Sequence, residues 1–274
     1  MKIGVRAHDF GRYSSLSDQA TTIKKAGFDC VQYAPAKAVE GIEHFDAITP
    51  NILQEIKTAF ARQGVEITVL GCYIEPSLTD KDKRLDNVRI FRDNLSHAKF
   101  LGAPIVGTET TGLSIHATEA ERESAYARLK DSVLRMAEKA EAEDVLIGIE
   151  PVAQHTLNTP VITRRLLDEV GSGKLKIIFD PVNLLLPHTV QEQDKIFAEM
   201  LELLGDEIVA MHIKDVAVEN ENLAWRNIGK GVVNYKPIFD WLKKNKPDMR
   251  LLREDAKMDS YPDDIAAMRS LAEA

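Results

Sequence analysis

Cysteine is scarce in this chain, with only Cys30 and Cys72 among 274 residues. Both fall in apolar runs of strand length, where a thiol behaves as a small buried apolar group, so neither a disulfide framework nor a redox pair is expected. No apolar run approaches the roughly 20 residues needed to cross a bilayer. The opening Met1-Lys2-Ile3-Gly4-Val5-Arg6 enters a strand without the regions of a signal peptide, which makes a cytoplasmic location the expectation. A basic excess is missing too. The formal net charge is -8, which argues against nucleic acid as a partner. A membrane is not expected as a partner either. Nor does a Gly-rich phosphate loop follow the first strand, where His8-Asp9-Phe10-Gly11-Arg12-Tyr13 stands instead, against a dinucleotide-binding open sheet.

What is present is 44% hydrophobic and 28% charged residues, enough apolar material for a sizeable core. Strand-length runs end near Ala7, Tyr33, Tyr73, Gly107, Glu150, Asp180, His212 and Glu254. Amphipathic stretches separate them, beginning near Ser15, Thr49-Pro50, Asp80, Thr118, Thr159-Pro160, Gln191, Tyr235 and Pro262. Eight strands alternating with eight helices at about 34 residues per unit is the period of a (β/α)8 TIM barrel, an α/β fold, and residues 1–274 read as one domain.

The ends of the last four strands stand out. Leu146-Ile147-Gly148-Ile149 stops at Glu150-Pro151, Lys176-Ile177-Ile178-Phe179 at Asp180-Pro181, Ile208-Val209-Ala210-Met211 at His212, and Leu251-Leu252-Arg253 at Glu254. These four residues lie 30, 32 and 42 positions apart, each near one repeat, so all occupy the C-terminal ends of successive strands, where barrels carry their working residues. Three carboxylates converging there would repel unless a cation sat among them. Three oxygen donors and one imidazole suit one divalent metal ion, Mn2+ first, with Mg2+, Co2+ or Zn2+ as alternatives.

At these residues the chain resembles the xylose isomerase-like barrel superfamily, and within it the sugar isomerases and epimerases typified by ketose 3-epimerases and inosose-processing enzymes. The matching pieces are Ile149-Glu150-Pro151, Phe179-Asp180-Pro181-Val182-Asn183, Met211-His212-Ile213-Lys214-Asp215, Arg253-Glu254-Asp255 and Asn227-Ile228-Gly229-Lys230-Gly231. The resemblance implies that Glu150, Asp180, His212 and Glu254 ligate the ion. It also implies that Glu150 and Glu254 are the catalytic pair, moving a proton beside the carbonyl of a ketose or related polyhydroxy ketone through an enediolate. The chain departs from the epimerases at three places: Asn183 stands for a histidine, Val218 for an arginine, and the neighbourhood of Thr156 lacks a glutamate. DNA-repair endonucleases that share the barrel need further Asp and His ligands, where Leu223 and Trp225 stand.

Other residues are placed to shape a substrate pocket. Lys214, two residues beyond His212, could reach a developing oxyanion or pair with a ligand carboxylate. Glu109 ends the fourth strand, and His155 follows Glu150 in the same loop as a candidate acid or base. Asn183, Arg6, His8, Trp225 and Arg226 complete the substrate-binding set, an aromatic face suiting a sugar ring and Arg a carboxylate or phosphate. The expected partner is a small sugar or cyclic polyol ketone, with assembly into a homodimer or homotetramer left open. The alternative to an isomerase is a lyase with the same metal ligands, such as an inosose-type dehydratase or an enzyme cleaving an oxidised glycoside.

Overall fold

A computed structural model describes residues 1–255, 257 and 260–273. In chain order the strands are β1 (Lys2–Arg6), β2 (Cys30–Tyr33), β3 (Glu66–Gly71), β4 (Ile105–Glu109), β5 (Leu146–Glu150), β6 (Leu175–Phe179), β7 (Ile208–Ile213), β8 (Asp215–Glu219), β9 (Asn222–Arg226) and β10 (Arg250–Arg253). The helices are α1 (Leu16–Lys25), α2 (Pro35–Ala38), α3 (Pro50–Gln63), α4 (Lys81–Leu101), α5 (Glu119–Glu143), α6 (Pro160–Val170), α7 (Gln193–Leu204), α8 (Lys236–Asn245) and α9 (Tyr261–Glu273). Eight parallel strands close into a barrel in the order β1-β10-β7-β6-β5-β4-β3-β2, the TIM barrel that the alternation of strands and helices implies. None of these helices is long and apolar enough to cross a membrane.

Local chemistry sets the helix ends. The hydroxyls of Thr49 and Thr159 accept from the amides of Ile52 and Ile162, each with proline at the first helical position. Thr118 and Glu121 form a reciprocal capping box on α5, and such caps are typically worth about 1 kcal/mol each. α5 ends on Asp144 in the left-handed region at φ 58°, so β5 starts at Leu146 rather than at Asp144.

Two additions were not legible as separate elements. α2 is a single turn after β2. β8 and β9 form an antiparallel hairpin beyond β7, closed by Asn220 and Glu221 at φ 49° and 60°. Positive φ at both central residues is the signature of a type I′ turn, which matches the twist of its strands.

Most of the core lies between strands and helices, while a smaller cluster fills the cylinder itself: Cys30, Val69, Ile105, Ile178, Ala210 and Leu252. Glycines make room for it. A Cβ on Gly148 would lie 2.8 Å from Ile105 Cγ2 and 2.9 Å from Ile178 Cδ1. Side chains two residues apart on a strand share a face. Two residues beyond Cys30, Gly148, Ile178, Ala210 and Leu252 stand Gln32, Glu150, Asp180, His212 and Glu254, all buried, so this layer is the floor on which the polar cluster stands. Cys30 and Cys72 are buried and free, Cys72 one residue past β3.

Candidate metal centre

Glu150, Asp180, His212 and Glu254 each bring one donor atom to a common point, all four atoms lying within 4.8 Å of one another. They come from β5, the residue after β6, β7 and the residue after β10, four neighbouring strands of the barrel.

Each of the four residues is tied to the protein through one atom and turns another inward. Glu150 Oε1 accepts from Asn183 Nδ2 at 2.6 Å. Asp180 Oδ1 accepts from the amides of Val182 and Asn183 at 2.8 and 3.1 Å. Glu254 Oε1 is held by Arg6 Nη1. His212 Nε2 lies 2.8 Å from Gln32 Oε1, and Gln32 Nε2 donates to the Tyr73 hydroxyl at 2.8 Å. With the amide oriented that way, His212 donates its Nε2 hydrogen to Gln32 and turns Nδ1 inward. The inward atoms are Glu150 Oε2, Asp180 Oδ2, His212 Nδ1 and Glu254 Oε2, the second and fourth of them within reach of Lys214 Nζ.

Those inward atoms are short of partners. His212 Nδ1 and Asp180 Oδ2 are buried without an aligned hydrogen bond, although Lys214 Nζ is 2.9 Å from Asp180 Oδ2. His212 Nδ1 sits 3.2 Å from both Glu150 Oε2 and Glu254 Oε2. Burial alone would lower the His212 pKa, but Glu150 and Glu254 outweigh it and raise it to about 9. Burial, with Glu254 and Glu150 adding to it, pushes the Asp180 carboxyl up to about 7 despite Lys214. Glu254 is also penalised by burial, yet Lys214, His212 and Arg6 hold it below the usual carboxylate range. A proton on Nδ1 thus stands where a larger cation would satisfy all four donors. Buried, converging donors of this type, two of them without an aligned hydrogen bond, fit a divalent ion.

Of the two roles open to Lys214, the structure shows the ion pair with a cluster carboxylate. Its ammonium contacts Asp180, Asn183 Oδ1 at 2.7 Å and Glu254 Oε2 at 3.4 Å. Burial opposes its charge, but Asp180, Glu254 and Glu150 keep it protonated. The Trp225 ring lies above it, 4.9 Å from Nζ to centroid. Asn183 therefore bridges Glu150 and Lys214. Arg6 is committed to Glu254, Asp9 and Asp255. His8 packs edge-on against Tyr73 at 6.0 Å, and burial with nearby Arg6 takes its pKa down to about 3.

Glu109 pairs in register with Glu150, and its Oε2 lies 3.8 Å from His155 Nδ1. Burial, then Glu150 and Glu254, push the Glu109 carboxyl up to about 7. Arg226 is not brought to the cluster, because its guanidinium pairs with Glu219 across the hairpin. Thr156 bonds Ser77 Oγ at 2.7 Å and the Thr111 carbonyl at 3.1 Å, fastening the loop after β5 to that after β4.

Sequence reasoning missed Gln32, Tyr73, Lys37 and Asp215. Lys37 Nζ lies 3.6 Å over the Tyr73 ring. The Asp215 carboxylate accepts from the amides of Val216, Gly229, Gly231 and Val233, organising the loop that carries the Asn227-Ile228-Gly229-Lys230-Gly231 motif. A Cβ on Gly231 would collide with it at 2.1 Å.

Comparison with known proteins agrees with the barrel fold. The sequence model of a family described as xylose isomerase-like TIM barrel matches residues 20–271. Among solved structures, a D-tagatose 3-epimerase-like protein superposes with a TM-score of 0.80 at 18% identity, covering 100% of this chain and 97% of that one. A 3-keto-D-glucoside 4-epimerase from E. coli gives 0.77 at 17% identity, covering 100% of both chains. A probable 3-DHS dehydratase from Bacillus anthracis gives 0.75 at 15% identity over 98% of this chain and 99% of that one. No curated protein matches the sequence.

Proposed function

The chain belongs to the xylose isomerase-like TIM barrel family, and from that premise we propose that it is a divalent-metal-dependent isomerase or epimerase acting on a polyhydroxy ketone. One observation carries the reading. Glu150 and Glu254 stand at the two ends of the arc β5-β6-β7-β10, each anchored through Oε1 with Oε2 turned to the same point.

A divalent ion held by Glu150, Asp180, His212 and Glu254 would supply Lewis acidity toward the carbonyl and neighbouring hydroxyl oxygens. Mn2+ suits three carboxylates and one imidazole best. The residues of the chain do the rest. One glutamate takes the proton from the carbon beside the carbonyl, and the other returns a proton from the opposite side. Lys214, protonated and buried, offers positive charge to the oxygen on which charge develops. Asn183 and Arg6 hold the two glutamates in place, and Trp225 covers Lys214 from the mouth.

The test is proton exchange. With Mn2+ and a panel of keto-sugars in deuterium oxide, NMR should show deuterium entering beside the carbonyl, and a chelator should abolish it. Turnover without deuterium uptake contradicts proton transfer. A second reading, a lyase with the same ligands, draws on Glu109, whose carboxyl is pushed up by burial and by Glu150 beside His155 and could donate to a leaving group. An unsaturated or cleaved product would decide for it.

A further inference from the structure

Removing a proton beside a carbonyl spreads negative charge over two neighbouring oxygens, whereas Lys214 stands on one side of the mouth only. The order of the strands decides what stands on the other. Counted either way round the closed ring, β3 lies four places from β7, so the end of β3 faces the strand that carries His212 and leads to Lys214. Just past that end is Tyr73. Gly71 pairs with Gly107, and Gly107 with Gly148, so Tyr73, two residues beyond Gly71, stands at the level of Glu109 and Glu150. Val69, two residues before Gly71, belongs to the plug inside the cylinder, which sets Tyr73 on the inward face.

The ring is held in place from several directions. Gly71 makes room for it, since a Cβ there would lie 3.3 Å from Tyr73 Cε2 and 3.6 Å from Gln32 Cγ. Lys37 Nζ sits 3.6 Å over the ring centroid, and His8 stands at right angles to the ring. The Tyr73 oxygen accepts from Gln32 Nε2 at 2.8 Å, while Gln32 Oε1 is committed to His212. That orientation of the amide leaves the phenol hydrogen unused, and among the described residues nothing else accepts it. Burial raises the phenol pKa, so the hydrogen stays at neutral pH, and Arg6, Glu254 and Glu150 are near enough to act on it. An ammonium over the ring face draws charge from the oxygen and makes the O–H a better donor.

We infer that the Tyr73 hydroxyl is a further catalytic group, donating to the enediolate oxygen that lies away from Lys214, so that the two charged oxygens meet donors from opposite sides of the mouth. The inference rests on the isomerase reading and assigns a residue of that same site. A fixed donor aimed at an oxygen gains most when that oxygen becomes charged, so the contact favours the transition state over the ketone and acts on kcat more than on KM. Tyr73 is thereby set apart from Gln32, whose amide touches His212 and acts through it.

Tyr73→Phe keeps the ring and removes the hydroxyl. On the full chain at saturating Mn2+ and keto-sugar, the rate of deuterium uptake should fall by about 10²-fold, with KM changed by less than about threefold. A loss that excess Mn2+ restores is the mark of a group that only steadies Gln32 and His212, and it overturns the assignment. So does an unchanged rate, or a loss confined to KM. A second readout needs no turnover: acetohydroxamate presents two adjacent oxygens in one plane, as an enediolate does. By calorimetry it should bind the Mn2+-loaded wild type about tenfold more tightly than Mn2+-loaded Tyr73→Phe, and equal binding overturns the contact. If no sugar takes up deuterium, the isomerase reading fails and the hydroxamate comparison decides the Tyr73 contact alone. Should Tyr73→Phe not fold, 3-fluorotyrosine at the same position, a stronger donor of the same shape, takes its place: tighter hydroxamate binding supports the contact, and unchanged binding overturns it.

Discussion

The two ends of the cylinder carry similar charged groups in opposite circumstances. At the foot, Glu66 on β3 lies between Lys2 of β1, 2.7 Å away, and Arg250 of β10, 3.3 Å away, with side chains 28%, 51% and 34% exposed. Two cations face one carboxylate, in contact with water. At the mouth, Glu150, Asp180 and Glu254 crowd around His212 with no more than 9% of any of these side chains exposed, and Lys214 and Arg6 answer only part of their charge. Ion pairs at the foot are of the kind usually worth at most about 1 kcal/mol, whereas imperfectly compensated buried charges cost several. A chain that retains the second arrangement has a use for it, and the floor of glycines and branched side chains places it at one level.

The largest break in that comparison comes from the mouth. Glu150→Gln and Glu254→Gln keep the shape and remove the base, so the rate of deuterium uptake should fall by roughly 10³-fold while circular dichroism stays that of the folded chain. Equal loss in Glu66→Gln would erase the distinction.

Next in size is the ion itself. Mn2+ at a hundred times its dissociation constant should stabilise the fold by about 2.7 kcal/mol, seen as a rise in Tm that His212→Ala loses. Its pH dependence has a definite sign. Without metal, the imidazole titrates near 9 and the Asp180 carboxyl near 7, so neutral pH finds protons in the site that the ion must displace. Affinity should rise with pH through about 7 and on to about 9, with proton release in calorimetry across buffers. Affinity that is flat or falls with pH contradicts the assignment.

Smaller is the effect of a residue one step removed. Gln32→Leu leaves the His212 Nε2 hydrogen without an acceptor and frees the ring, which should weaken Mn2+ binding by about 10- to 100-fold. At the small end, Glu66→Gln should change unfolding free energy by less than about 1 kcal/mol and leave deuterium uptake unchanged.

The cluster of Glu150, Asp180, His212 and Glu254 was legible because each member interrupts an apolar run at its end, a pattern that repeats at the period of the fold. Glu150, Asp180, His212 and Glu254 announce themselves as charge where strands stop. Gln32 does not, because it sits inside the short run Cys30-Val31-Gln32-Tyr33 and its value lies in facing His212 across the barrel. The hairpin escaped for another reason: Asn220-Glu221 closes it without glycine at the second position, although alternation in Val216, Val218, Leu223 and Trp225 hints at two strands. Arg6 and Arg226 carry the same charge in sequence, yet one is bound to Glu254 and the other to Glu219 outside the cluster. Such partner choices depend on three-dimensional proximity that no spacing in the chain encodes.

The most direct test of the centre is anomalous diffraction at the manganese edge from crystals grown with Mn2+. One peak is expected at the barrel mouth, about 2.0–2.3 Å from Glu150 Oε2, Asp180 Oδ2, His212 Nδ1 and Glu254 Oε2. A peak elsewhere, or none at saturating Mn2+, contradicts it.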